Sequence, residues 1–142
     1  MSNSTSSINP TLSAELIHSV VQQYFAASRS SNQAEAMVAC FAADSVTHDP
    51  AERPGLRGHQ ELQQFFQGVI SLFETVGLQA DFISINGNEA AVKWTGYGVG
   101  RNGKSVTFEG IDLFQFNSAG KIQTMRAYWD PAAMLAKLQE GA

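Results

Sequence analysis

Cysteine is nearly absent from this chain: one residue, Cys40, in 142. A single thiol excludes an internal disulfide framework and fits a reducing, cytoplasmic setting. Between Val38-Ala39 and Phe41 it reads as a small buried hydrophobe rather than a nucleophile. Charge is also scarce, at 15% of residues with a net of −4, and Lys and Arg nowhere cluster. Nucleic acid and anionic membrane surfaces are therefore excluded as expected partners. No apolar run approaches the ~20 residues of a membrane-spanning helix. The three histidines, His18, His48 and His59, lack metal-ligand spacing, and there is no Gly-rich phosphate loop.

What remains is a globular composition, 44% apolar, of a length that fits one domain with one core. Residues 1–10 are Ser- and Asn-rich and read as a flexible tail, and residues 11–142 as a single domain. Leu16, Ile17, Val20, Val21, Tyr24 and Phe25 recur at helical spacing and predict a helix over 11–28, with Asn9-Pro10 as its start signal. Asn32 and Glu35 resemble a capping box opening a short helix that carries Met37, Val38 and Phe41 inward. Residues 45–48 predict a brief strand ending at Asp49-Pro50, and residues 51–58 a loop. Leu62, Phe65, Phe66, Val69, Ile70 and Phe73 form the stripe of a third helix.

After Gly77 the period becomes two. Strands are predicted over 78–85, 89–99, 105–116 and 121–129, joined by Gly- and Asn-bearing hairpin connections. The expected class is α+β: three N-terminal helices packed on a curved antiparallel sheet that forms a cone. A cone closed by aromatic residues leaves a dry pocket for a flat apolar ligand. An outer sheet face with Phe82 and Trp94 nearby predicts a homodimer.

Three polar residues fit a plain core poorly. Asp112 lies in a strand and shares its face with Gly110, Phe114 and Phe116. A carboxyl group there is either neutralised, with Arg126 on the adjacent strand as the candidate partner, or stays protonated and becomes a hydrogen-bond donor. Protonation at neutral pH demands a rise of more than about 3 pH units, roughly 4 kcal/mol. Tyr24, in the helical stripe, is either a core tyrosine or a phenol that donates into the pocket. Asp49 is either a turn cap beside Pro50 or a rim carboxylate, ionised near neutrality at its ordinary pKa and placed to take a proton. Met125, Ala127 and Trp129 alternate onto one strand face and, with Phe66 and Phe114, are the expected substrate-binding walls; Trp94 either joins them or sits in the core.

These residues lie in runs that resemble a known family. The runs are Val20-Val21-Gln22-Gln23-Tyr24-Phe25, Phe41-Ala42-Ala43-Asp44-Ser45-Val46 leading to Asp49-Pro50, Gly110-Ile111-Asp112, and Gly120 through Trp129. Across about 20–129 the sequence resembles the ketosteroid isomerases, within the nuclear-transport-factor-2-like (SnoaL-like) superfamily. The resemblance implies a cofactor-independent steroid Δ-isomerase acting on a small hydrophobic ketone. Asp49 would be the base, and Tyr24 with protonated Asp112 would hold the dienolate oxygen, the neutral-acid logic known for that family. Phe66 stands where some relatives carry a supporting tyrosine. Glu52 and Arg53 charge the loop after Asp49 and point toward a more polar substrate. The alternatives are a SnoaL-like cyclase or dehydratase on another enolisable ketone, and a non-catalytic hydrophobic-ligand-binding domain.

Overall fold

A computed structural model describes residues 12–140; the expected tail, 1–10, lies outside them. Helix α1 spans Ala14–Ala27, and its start is set by Ser13, whose hydroxyl accepts from the Leu16 N–H at 3.1 Å. The expected Asn9-Pro10 start lies outside the described residues. Ile17, Val21, Tyr24 and Phe25 face inward, while Leu16, counted in the expected stripe, is exposed. Ser28 ends the helix. Its hydroxyl donates to Phe25 O at 2.5 Å and accepts from Leu78 N–H at 2.9 Å, which ties α1 to the sheet.

Helix α2 covers Gln33–Val38. The predicted capping box is replaced by a side-chain contact, Asn32 Nδ2 donating to Glu35 Oε1 at 3.2 Å, and no side chain caps the backbone. Phe41 is not helical but opens strand β1, Phe41–His48, longer than the 45–48 expected. A two-residue strand β2, Leu56–Arg57, pairs back on β1 within the predicted loop.

Helix α3, Gly58–Ile70, buries Leu62 and Phe66. Phe73, at helical spacing from Ile70, instead starts β3, Phe73–Asn86. The β-branched Thr75 and Val76 that follow favour extended backbone, which a stripe count alone cannot see. Strands β4 (Glu89–Gly100), β5 (Ser105–Phe116) and β6 (Ile122–Tyr128) complete the expected hairpins.

The six strands run in the order β2-β1-β6-β5-β4-β3. All neighbours are antiparallel except β1 and β6, which are parallel, a correction to the all-antiparallel expectation. That pairing joins segments far apart in sequence, with no hairpin turn to announce it. The sheet curves around α1 and α3 and stays open, with β2 and β3 as edges.

A fourth helix, α4 (Pro131–Gln139), was not foreseen. Asp130 caps it by accepting from Ala133 N–H at 3.0 Å, and Pro131 occupies its first turn. Its Met134 packs with Phe73 and Val106 in a second, smaller core. Among the described residues no helix is long and apolar enough to cross a membrane.

Candidate active site

Tyr24 is carried on the inward face of α1, 2% exposed. Its ring meets Phe41 and Phe114 edge-on, with centroids 5.7 and 5.6 Å away. Burial, then the nearby Asp112 and Asp49 charges, raise the phenol pKa well above its ordinary value, so the hydroxyl stays a donor.

Asp112 sits mid-β5, opposite Val92 on β4 and Ala127 on β6, 2% exposed. Arg126 does not reach it. That side chain lies opposite Leu113, is exposed, and donates to Ala51 O at 3.1 Å. Among the described residues no ion pair involves Asp112. Burial first, then repulsion from Asp49, raise its pKa well above the ordinary carboxylate value. The Trp94 indole N–H nearby favours ionisation but is outweighed.

Asp49 follows the last residue of β1 and is half-buried, in a cis peptide with Pro50. Trp129, just past β6, donates its Nε1–H to Asp49 Oδ1 at 2.6 Å. Burial raises the Asp49 pKa to about 6, with the Trp129 bond pulling it back. The ordinary pKa expected of a rim carboxylate is thus corrected upward, because the rim is drier than its loop position implied. With a pKa of about 6 Asp49 is mostly charged at pH 7, whereas burial drives the deeper Asp112 toward its neutral form. Two carboxyls with no cation between them cannot both ionise cheaply, and their unequal burial decides which one does.

All three residues line one cavity between α1, α3 and the sheet. It holds about 570 Å³ counted out to its open mouth. Its walls are mostly aromatic and aliphatic, which makes it an apolar slot. No Lys, Arg or His lines it. At the mouth it shares Asp49, Phe65, Val69 and Trp129 with an open basin that includes exposed Glu52 and Arg53. The Asp112 charge would bear on the Tyr24 hydroxyl, yet among the described residues no hydrogen bond joins the two.

Phe66 and Trp129 face the slot, whereas Phe114, Met125 and Ala127 pack in the core without lining it. Phe114 instead supports the Tyr24 ring from behind. Trp94, expected either to join the pocket walls or to sit in the core, lines the slot at 3% exposure and does not belong to the outer face. A strand irregularity between Ala80 and Phe82 puts Ala80 opposite Trp94 and leaves Phe82 outside. Sequence reasoning also missed Phe65, Val69, Leu78 and Phe108 as lining residues. Their only signal was membership of apolar stripes, which core and pocket positions share. Among the described residues no group of three or more His, Cys, Asp or Glu is placed to hold a metal ion.

The model of the SnoaL-like domain family matches residues 21–125, most of the chain. The chain belongs to that family. Three solved structures share its fold. One is SalBIII, described as an epoxide hydrolase/cyclase-like enzyme in pyran ring formation in the polyether salinomycin, at 20% identity and TM-score 0.72, covering 83% of this chain and 93% of its own. Another is a nuclear-transport-factor-2-like protein of unknown function from Burkholderia pseudomallei K96243, at 20% identity and TM-score 0.73, covering 87% and 98%. The third is TerC, co-crystallised with polyporic acid, at 14% identity and TM-score 0.74, covering 88% and 99%.

Proposed function

We propose that this member of the SnoaL-like family is a cofactor-independent isomerase of enolisable ketones, of the steroid Δ-isomerase type. One observation supports the reading: Asp49 and Asp112 share a slot lined by no Lys, Arg or His, and burial drives the deeper carboxyl toward its neutral form while leaving the one at the mouth near 6.

Asp49 removes a proton from the carbon between a ketone and a β,γ double bond. The C–H bond breaks, an O–H bond forms on Asp49, and the electron pair moves into a dienolate. Tyr24 and protonated Asp112 donate to the oxygen on which negative charge develops. Asp49 then returns the proton two carbons along, which gives the conjugated enone and regenerates the carboxylate. A positioned base supplies about a hundred- to ten-thousandfold. The slot excludes water from the carbanion and fits a flat, small hydrophobic molecule.

The test is to supply a non-conjugated ketosteroid and follow conjugated-enone absorbance. Turnover that Asp49→Asn abolishes supports the reading. No signal above background, or full activity in that variant, overturns it.

A second reading is a cyclase or dehydratase on another enolisable ketone. It is favoured by the charged Glu52 and Arg53 beside the mouth and by the fold likeness to SalBIII. Mass spectrometry over a panel of such ketones separates the two.

The outer sheet face aligns exposed Phe82, Ile111 and Tyr128 around Lys93 across four strands. This row supports a homodimer through that face. Sedimentation should show a dimer that Ile111→Glu dissociates.

A further inference from the structure

Trp94 is a buried residue whose polar atom the proposed mechanism leaves unused. Its indole nitrogen is sealed from solvent and meets no acceptor at ordinary hydrogen-bond length and angle. A buried N–H left unpaired costs about 1–3 kcal/mol, so a site that keeps one demands a reason.

The sheet register supplies it. Trp94 on β4 stands opposite Gly110 on β5, and Asp112 is two residues further along β5 on the same face. Gly110 has no side chain, and the indole lies across it. A Cβ at Gly110 would fall 2.5 Å from Trp94 Cζ2, a ring atom next to the carbon that bears Nε1. The indole thus shares a sheet face with Asp112, whose carboxyl feels the Trp94 N–H. Phe108 and Trp129 meet the indole edge-on, with centroids 5.9 and 6.0 Å away, and hold the ring there.

We propose that Trp94 is a positioning residue: its N–H engages one oxygen of Asp112 as acceptor and so directs the acid proton, on the other oxygen, into the slot. A protonated carboxyl has one O–H donor and one carbonyl acceptor, and burial alone does not say which oxygen faces the ligand. A fixed N–H donor beside one oxygen settles this, because two donors cannot face one another. The inference rests on the reading of Asp112 as the protonated donor. The ionisable groups acting on Asp112 are Asp49, from the end of β1, and Tyr24, from α1. An N–H donor also favours the charged carboxylate, in the direction opposite to burial and to Asp49. Removing it therefore raises the pH at which Asp112 ionises.

The chain has two tryptophans, so ¹⁵N-tryptophan labelling gives two indole N–H resonances, assigned with Trp94→Phe and Trp129→Phe. The expected result is that Asp112→Ala moves the Trp94 resonance upfield and leaves that of Trp129 in place. A Trp94 resonance unchanged by Asp112→Ala overturns the proposal. No substrate is needed, so this readout stands even if no ketone is turned over. In kinetics, Trp94→Phe should lower kcat roughly five- to tenfold with little change in KM. It should also move the alkaline limb of the pH profile upward, with the acid limb in place. Unchanged kcat and limbs, or a loss confined to KM, overturns it as well.

Discussion

Trp129 reaches back across 80 residues of chain to donate its indole N–H to Asp49 Oδ1 at 2.6 Å. One oxygen of Asp49 is thereby fixed by this donor, and the other is not. The bond also sets where Asp49 titrates, because a donor to a carboxylate favours the charged form.

The activity of the wild-type protein should rise with pH through about 6, as Asp49 loses its proton. Trp129→Phe removes the donor and keeps an aromatic ring. The rise should then move to higher pH by up to about 1–2 units, since a hydrogen bond to a charged group is worth about 1.5–3 kcal/mol. A pH profile of kcat/KM checks this, and an unmoved acid limb contradicts it.

Asp49→Asn should stabilise the fold above pH 6 while abolishing turnover. In the folded state Asp49 has a raised pKa, from 3.8 to about 6, so its protonated form is the one the fold favours. Below pH 3.8 that contribution is fully present, and it is lost as pH rises through about 6. At 1.36 kcal/mol per pH unit the loss amounts to at most about 3 kcal/mol. Thermal unfolding at pH 8 should show the variant more stable, and at pH 4 the difference should largely vanish.

Asp112→Ala should lower kcat by about a hundred- to a thousandfold, the usual range for one oxyanion donor. Asp112→Asn, whose amide still donates, should retain more activity than the alanine variant. Equal rates for both would mean that donation at this position is not what matters.

Gly110→Ala should destabilise the protein by about 1–3 kcal/mol and cripple the site. The added Cβ would lie 2.5 Å from Trp94 Cζ2, 2.7 Å from the Tyr128 carbonyl oxygen and 2.8 Å from Trp129 Cβ. A backbone oxygen cannot rotate away as a flexible side chain can. Denaturant unfolding measures the loss.

The helices and hairpins were legible because period and turn chemistry are local properties. The stripe of α1 and the connections at Asn86-Gly87-Asn88 and Asn117–Gly120 needed no tertiary information. The parallel pairing of β1 with β6 was not legible, since nothing local marks a partner some eighty residues away. Helix α4 is marked in the sequence only by the short signal Asp130-Pro131, directly after the predicted strand over 121–129. In the site, Tyr24, Asp49 and Asp112 stood out as polar residues at positions that otherwise read as apolar stripe or strand end. The upward pKa of Asp49 and the outward turn of Phe82 depend on packing: the first on desolvation at the mouth, the second on a strand irregularity at Ala80–Phe82.

The proposed chemistry turns on a neutral Asp112, and infrared difference spectroscopy against pH reads it directly, with Asp49→Asn and Asp112→Asn to assign the two carboxyl bands. The Asp49 band should convert to carboxylate through about pH 6, while the Asp112 band stays that of a protonated acid at pH 7.5. An Asp112 band already converted near pH 4 would contradict the proposed chemistry.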